Sequence, residues 1–226
     1  MILTNRLFER KRPSREAKSI YIFCEGVKRE YQYFEYFREM DSRINVEIYK
    51  LHPHEDNSPV GLMNIAKECI LLTEENPNPK FTFQKNDEVW IVLDTDKDKN
   101  DSRRPQIQQI RVECQSLNDW NVAQSNPCFE VWLYYHQNSE KPSFDGIESC
   151  KLWKQLVNKT IAGGFQSNKH PIYIEEATEN AEINFESENN IPTIGSTEVF
   201  KLSKSILPLI KTKIREVKTT ITENKL

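Results

Sequence analysis

Four short runs rich in β-branched and aromatic residues, each followed by a stretch of helical spacing, constrain this chain more than any other feature. The runs fall at 19–24 (SIYIFC), 45–51 (NVEIYKL), 88–94 (EVWIVLD) and about 120–125. The intervening segments 29–40, 60–75 and 103–118 carry apolar residues three and four apart. Leu62, Ile65, Ala66, Cys69 and Leu72 mark the second segment, and Ile107, Ile110, Cys114 and Leu117 the third. The breaker ENPNPK closes the second helix. Asn126 and Pro127 read as the N-cap and first residue of a fourth helix, NPCFEVWLYYH. Such alternation predicts an α/β fold with a mostly parallel sheet covered by helices on both faces.

Past residue 138 the pattern loosens. Helices are expected at 147–160, 175–188 and 197–221, with a loop at TIAGGFQSNKHP. The chain of 226 residues divides into a basic arm (1–18), an α/β core (19–138) and a mainly helical extension packed on it (139–226). The arm carries Arg6, Arg10, Lys11, Arg12, Arg15 and Lys18, and reads as a solvated segment or as a contact for a phosphate backbone.

A net charge of −3 excludes a generic nucleic-acid binder, so any such role needs a local basic patch. Five cysteines without a CxxC pair argue against a disulfide framework or structural zinc and for reduced thiols. There is no signal-like apolar region and no run of 18 apolar residues, so the expected location is cytoplasmic, without a membrane span.

The chemistry concentrates in carboxylates. An open parallel sheet binds ligands at the carboxyl ends of its strands, where strand order reverses. The first strand ends at Glu25, followed by Gly26, which lets backbone approach closely or turn tightly. The third ends at Asp94 and Asp96, and Glu130 lies one turn into the fourth helix. Glu30, on the first turn of the first helix, can reach the same edge or serve the helix dipole, and Glu130 has the same structural alternative. So many acids repel and raise one another's pKa unless a cation shares them. Oxygen donors alone point to Mg²⁺ or Mn²⁺.

Asp98 and Asp101 read as turn residues, His52 and His54 as an incidental loop pair, and the row from Tyr31 to Phe37 as core. Lys28, Arg29, Lys97, Lys99, Arg103 and Arg104 lie beside the acidic edge and can neutralise a nucleic-acid backbone. P-loop, GxGxxG, HExxH and GxSxG motifs are absent.

A strand ending in Glu-Gly and a later strand ending in Asp-X-Asp resemble the Toprim domain of topoisomerases, primases and OLD-type nucleases. More closely, IFCEGVKREYQYFEYF, DEVWIVLDTD, SNPCFEVWLYYH and STEVFKL resemble the RloB-like family of bacterial restriction and abortive-infection loci. That resemblance implies a Mg²⁺-binding, Toprim-type core that cleaves nucleic acid, DNA or tRNA, in phage defence. It makes Glu25 an acid/base or metal ligand, Asp94 and Asp96 a metal pair, and Glu30 and Glu130 acids for a second metal. The chain departs from the family pattern at Val27, where a polar or acidic residue is expected, and at Glu198, where asparagine is expected. Two alternatives stay open: a Toprim-like subunit activated by a separate ATPase, and nucleotidyl transfer in the manner of primases. A homo-oligomer is compatible with each.

Overall fold

A computed structural model describes residues 8–95, 100–143 and 146–224. Strands β1 (Lys18–Cys24), β2 (Ile44–Tyr49), β3 (Glu88–Asp94) and β4 (Trp120–Asn126) lie parallel, in the order β2-β1-β3-β4. Helices α1 (Arg29–Glu35), α2 (Pro59–Ile70) and α3 (Asn100–Ser116) make the crossovers. The fold is therefore α/β with a mostly parallel sheet. The central strands β1 and β3 are buried on both faces, which is why they read as continuous apolar runs, while the edge strand β2 alternates.

Side-chain alternation divides the core in two. Tyr21, Phe23, Val89, Ile91 and Leu93 face α2 and α3. Ile20, Ile22, Cys24, Trp90 and Val92 face α1 and the C-terminal helices. These are α4 (Glu130–Tyr134), α5 (Cys150–Thr160), α6 (Ile174–Ile183) and α7 (Val199–Asn224), with a 3₁₀ turn at His170–Tyr173. The α7 residues Leu202, Ile206, Ile210, Ile214 and Val217 are buried against this face. The C-terminal third thus covers half the sheet, because a two-faced parallel sheet needs helices on each side.

Several boundaries differ from expectation. Asn126 does not cap a helix: it stays in β4, pairs with Ser196, and its side-chain amide donates to Pro192 O at 2.7 Å. The Asn126–Pro127 peptide bond is cis, and α4 begins at Glu130. Helix α2 ends at Ile70, where Leu71 turns extended and the Asn76 side-chain amide caps the Leu71 carbonyl at 3.1 Å. The extension also adds strands that the sequence pattern does not reveal. These are β5 (Ser187–Glu188) and β6 (Ile191–Pro192), a small hairpin, and β7 (Ser196–Thr197), antiparallel to the end of β4.

The described part of the basic arm is anchored along its length. Lys11 N donates to Glu39 O, Ser14 N donates to Ser42 O, and Phe8 packs edge-on against Tyr36. Among the described residues, no helix is long and apolar enough to cross a membrane.

Candidate functional site

Strand order reverses between β1 and β3: β2 lies outside the first and β4 outside the second. This is the crevice where an open α/β sheet presents ligand sites. Glu25 and Asp94 end the two strands that border it. Glu25 N still donates to Val92 O (3.2 Å), so the ladder continues one residue past β1. The Glu25 carboxylate turns across the crevice and accepts from Asp94 N at 3.3 Å. Asp94 continues the row of Trp90 and Val92, the side of the sheet that packs against α1 and α4.

Those two helices bring the other acids. Glu30, on the first turn of α1, is buried and bends back over Gly26, so that a Cβ on Gly26 would meet Glu30 Oε2 at 1.8 Å. Gly26 is not among the positive-φ glycines, so a side-chain approach, not a left-handed turn, requires the glycine here. Glu130 opens α4 and is only 4% exposed, with Arg29 Nε at 3.6 Å from its Oε1.

Mutual repulsion is visible in the protonation preferences. Burial raises the Glu30 pKa to about 7, and the charges of Glu130 and Glu25 push the same way. Burial also raises Asp94 well above the usual carboxylate range, with Glu30, Glu25 and Glu130 adding to it. The thiols alongside are held protonated. Cys24 is raised by burial and then by Glu30 and Asp94, while Cys128 is raised by its hydrogen bond to Cys150 and then by burial.

Arg103 completes the arrangement. It was expected at the surface, contacting a phosphate backbone; instead it is 5% exposed. Its guanidinium pairs with Glu25, and its Nε donates to Asp94 O at 2.9 Å. Glu25, Arg103 and the backbone of Asp94 therefore form a closed ring across the crevice. Arg104, the next residue, is exposed and borders a cleft of about 580 Å³. Thr95, Asn126, Lys141 and the β5–β6 hairpin line that cleft, which places it directly beside the carboxyl ends of β3 and β4. Lys28 is exposed at the start of α1.

The expected set is thus brought together at Glu25, Glu30, Asp94 and Glu130. Asp96 and Lys97, with Asp98 and Lys99, lie outside the described residues. Among the described residues, no three His, Cys, Asp or Glu side chains converge closely enough to hold one ion. The donor chemistry nonetheless suits a hard cation: the acids that influence one another here offer oxygen, and the nearby thiols are protonated. His52 and His54 are exposed on the loop after β2.

Sequence reasoning missed the environment of Glu198. This residue is 4% exposed at the edge of β4, below the short pairing with β7. Its carboxylate accepts from Gln124 N at 3.2 Å, pairs with Arg111, and lies 2.8 Å from Lys201 Nζ. The departure from asparagine at this position is the only signal the sequence offers.

Searches of curated proteins and of solved structures return no match to this chain. A family model does match, that of the RloB-like proteins, over residues 20–206. The match begins in β1, ends in α7 and takes in every carboxylate of the crevice, and on it the chain belongs to the RloB-like protein family.

Proposed function

We propose that this chain is a divalent-cation-dependent phosphodiesterase with a Toprim-type site, cleaving DNA or RNA in the cytoplasm as part of bacterial defence against phage. One observation carries the reading. Four carboxylates at the switch point of a parallel sheet lie near enough to feel one another's charge, and two of them are pushed toward protonation by burial and by the others. A set of this kind is unfavourable unless cations or protons offset it. The Toprim comparison draws its support from position: Glu-Gly follows β1 and Asp-X-Asp follows β3, on adjacent strands.

Glu25, Glu30, Asp94 and Glu130, with Asp96, are the residues that would hold Mg²⁺ or Mn²⁺. Bound there, the ion would polarise a phosphate and supply activated water. The chain's own groups have separable tasks. In the cation-free chain Glu30, with its pKa raised to about 7, holds a proton around neutral pH, and that proton would leave when an ion is bound. Glu25 is held across the crevice by Asp94 N and Arg103, so its orientation is set before substrate arrives. Lys28, exposed two residues before Glu30, and Arg104, exposed on the cleft beside Thr95, suit phosphate contacts, and that cleft beside β3 and β4 offers room for the strand flanking the scissile bond.

The test is cleavage of labelled single-stranded DNA, duplex DNA and tRNA by the purified chain, with Mg²⁺, Mn²⁺ or chelator. Cleavage should require the ion, and Glu25→Gln or Asp94→Asn should each slow it on the order of 10³-fold with the circular dichroism spectrum unchanged. Cutting that persists in both variants ends this reading. The pairing of Arg103 with Glu25 favours one competing reading, a resting subunit that a separate ATPase must activate. Cleavage appearing only when such a partner is added would select it.

A further inference from the structure

We infer that Arg103 is the resident counter-ion of Glu25: guanidinium and divalent cation are alternative partners for the Glu25 carboxylate, and Arg103 is what lets the carboxylate set assemble before any cation arrives. The inference rests on the metal-dependent reading above and assigns a role to a residue that the reading does not need.

A guanidinium that is 5% exposed requires a counter-charge, because an unpaired buried ion is strongly destabilising. Among the described residues, Glu25 is the carboxylate that pairs with it. Its second bond, Nε to Asp94 O at 2.9 Å, ties it to the backbone of β3 and leaves it no need of a second acid. Arg103 also sits on α3, the first helix after β3, so its position is set by the crossover that leaves Asp94 at the end of β3.

The rest of the crevice follows the same logic. Arg29 stands 3.6 Å from Glu130, a second guanidinium beside a second carboxylate of the set. Arg29 is the weaker partner, being 42% exposed and therefore screened by solvent. Arg103 is the internal one, and a cation reaching Glu25 meets it directly.

The proposal fixes the sign of a measurable effect. Removing the guanidinium lowers the stability of the ion-free protein and takes a positive charge from beside Glu25, so the variant should bind a cation more tightly than the wild type. Arg103→Gln and Arg103→Lys are compared with the wild type by thermal melting and by titration calorimetry with Mn²⁺ alone, at constant ionic strength. Arg103→Gln should melt lower without Mn²⁺, bind Mn²⁺ about tenfold more tightly, and show a Tm rise on Mn²⁺ addition roughly twice that of the wild type. Arg103→Lys, which keeps the charge, should respond as the wild type does. An Arg103→Gln chain that folds only when Mn²⁺ is present also supports the proposal. Equal or weaker Mn²⁺ affinity in Arg103→Gln overturns it while leaving the metal site standing. A Lys variant that behaves like the Gln variant overturns it too, because the hydrogen-bonding fork and not the charge would then matter. Mn²⁺ binding to none of the three proteins overturns both this inference and the metal-dependent function.

Discussion

Glu198 and the acids of the crevice are all buried or half-buried at the same sheet, yet their surroundings are opposite. Glu198 is one carboxylate facing Arg111, Lys201 and the Gln124 N–H. At the switch point, Glu25, Glu30, Asp94 and Glu130 share Arg103 and Arg29. A carboxylate with more positive partners than it can use is an anchor, and here it closes the open edge of β4. Carboxylates set among other carboxylates, as Glu30 and Asp94 are, are pushed toward taking up protons. The difference shows that burial of an acid says little about function until its partners are named.

Replacing Glu198 by alanine probes the anchor side. It strands Arg111 and the Gln124 N–H in a buried setting and should cost about 3–5 kcal/mol, a drop near 10 °C in Tm. Metal affinity at the crevice should be untouched. A melting point within a degree or so of the wild type would erase the contrast between the two regions.

The next effect is the pH dependence of stability in the cation-free protein. The folded pKa of Glu30 is raised from 4.5 to about 7, so between those values the folded chain holds a proton that the unfolded chain releases. The stabilisation is complete below pH 4.5 and lost as pH rises through 7, by up to about 3 kcal/mol. Asp94 acts in the same direction. Denaturant unfolding at several pH values should therefore show stability falling toward neutrality, and a shallower fall in Glu30→Gln. Identical slopes in the two proteins would place Glu30 outside the coupled set.

The smallest change is Gly26→Ala. The added Cβ collides with the far end of a flexible side chain, so the fold should survive with a stability change under about 1 kcal/mol. Glu30 must swing out, and the variant should reproduce the shallow pH profile of Glu30→Gln. A profile matching the wild type would mean that Glu30 does not depend on the space above Gly26.

The sequence was most legible where the physics is local. Strands β1 and β3 stood out because burial on both faces demands unbroken apolar runs, and the acids at their carboxyl ends marked the crevice edge. Legibility ended where distant segments decide. Asn126-Pro127 has the chemistry of a helix start, but pairing with Ser196 keeps Asn126 in the strand. The strands β5, β6 and β7 are two residues each, too short to show any alternation. Arg103 stands in a run of charged residues where nothing local separates an interior guanidinium from a solvated one. Only the geometry of the α3 crossover does so.

The space above Gly26 also has a hereditary consequence. Positions 26 and 30 behave as socket and plug, and in descendants of this chain they should change together or not at all. A lineage that acquires a larger residue at 26 has no place for the acid at 30 and is free to lose it. One that keeps the glycine while losing the acid retains a socket with nothing in it, open to be filled by whatever side chain drift supplies next.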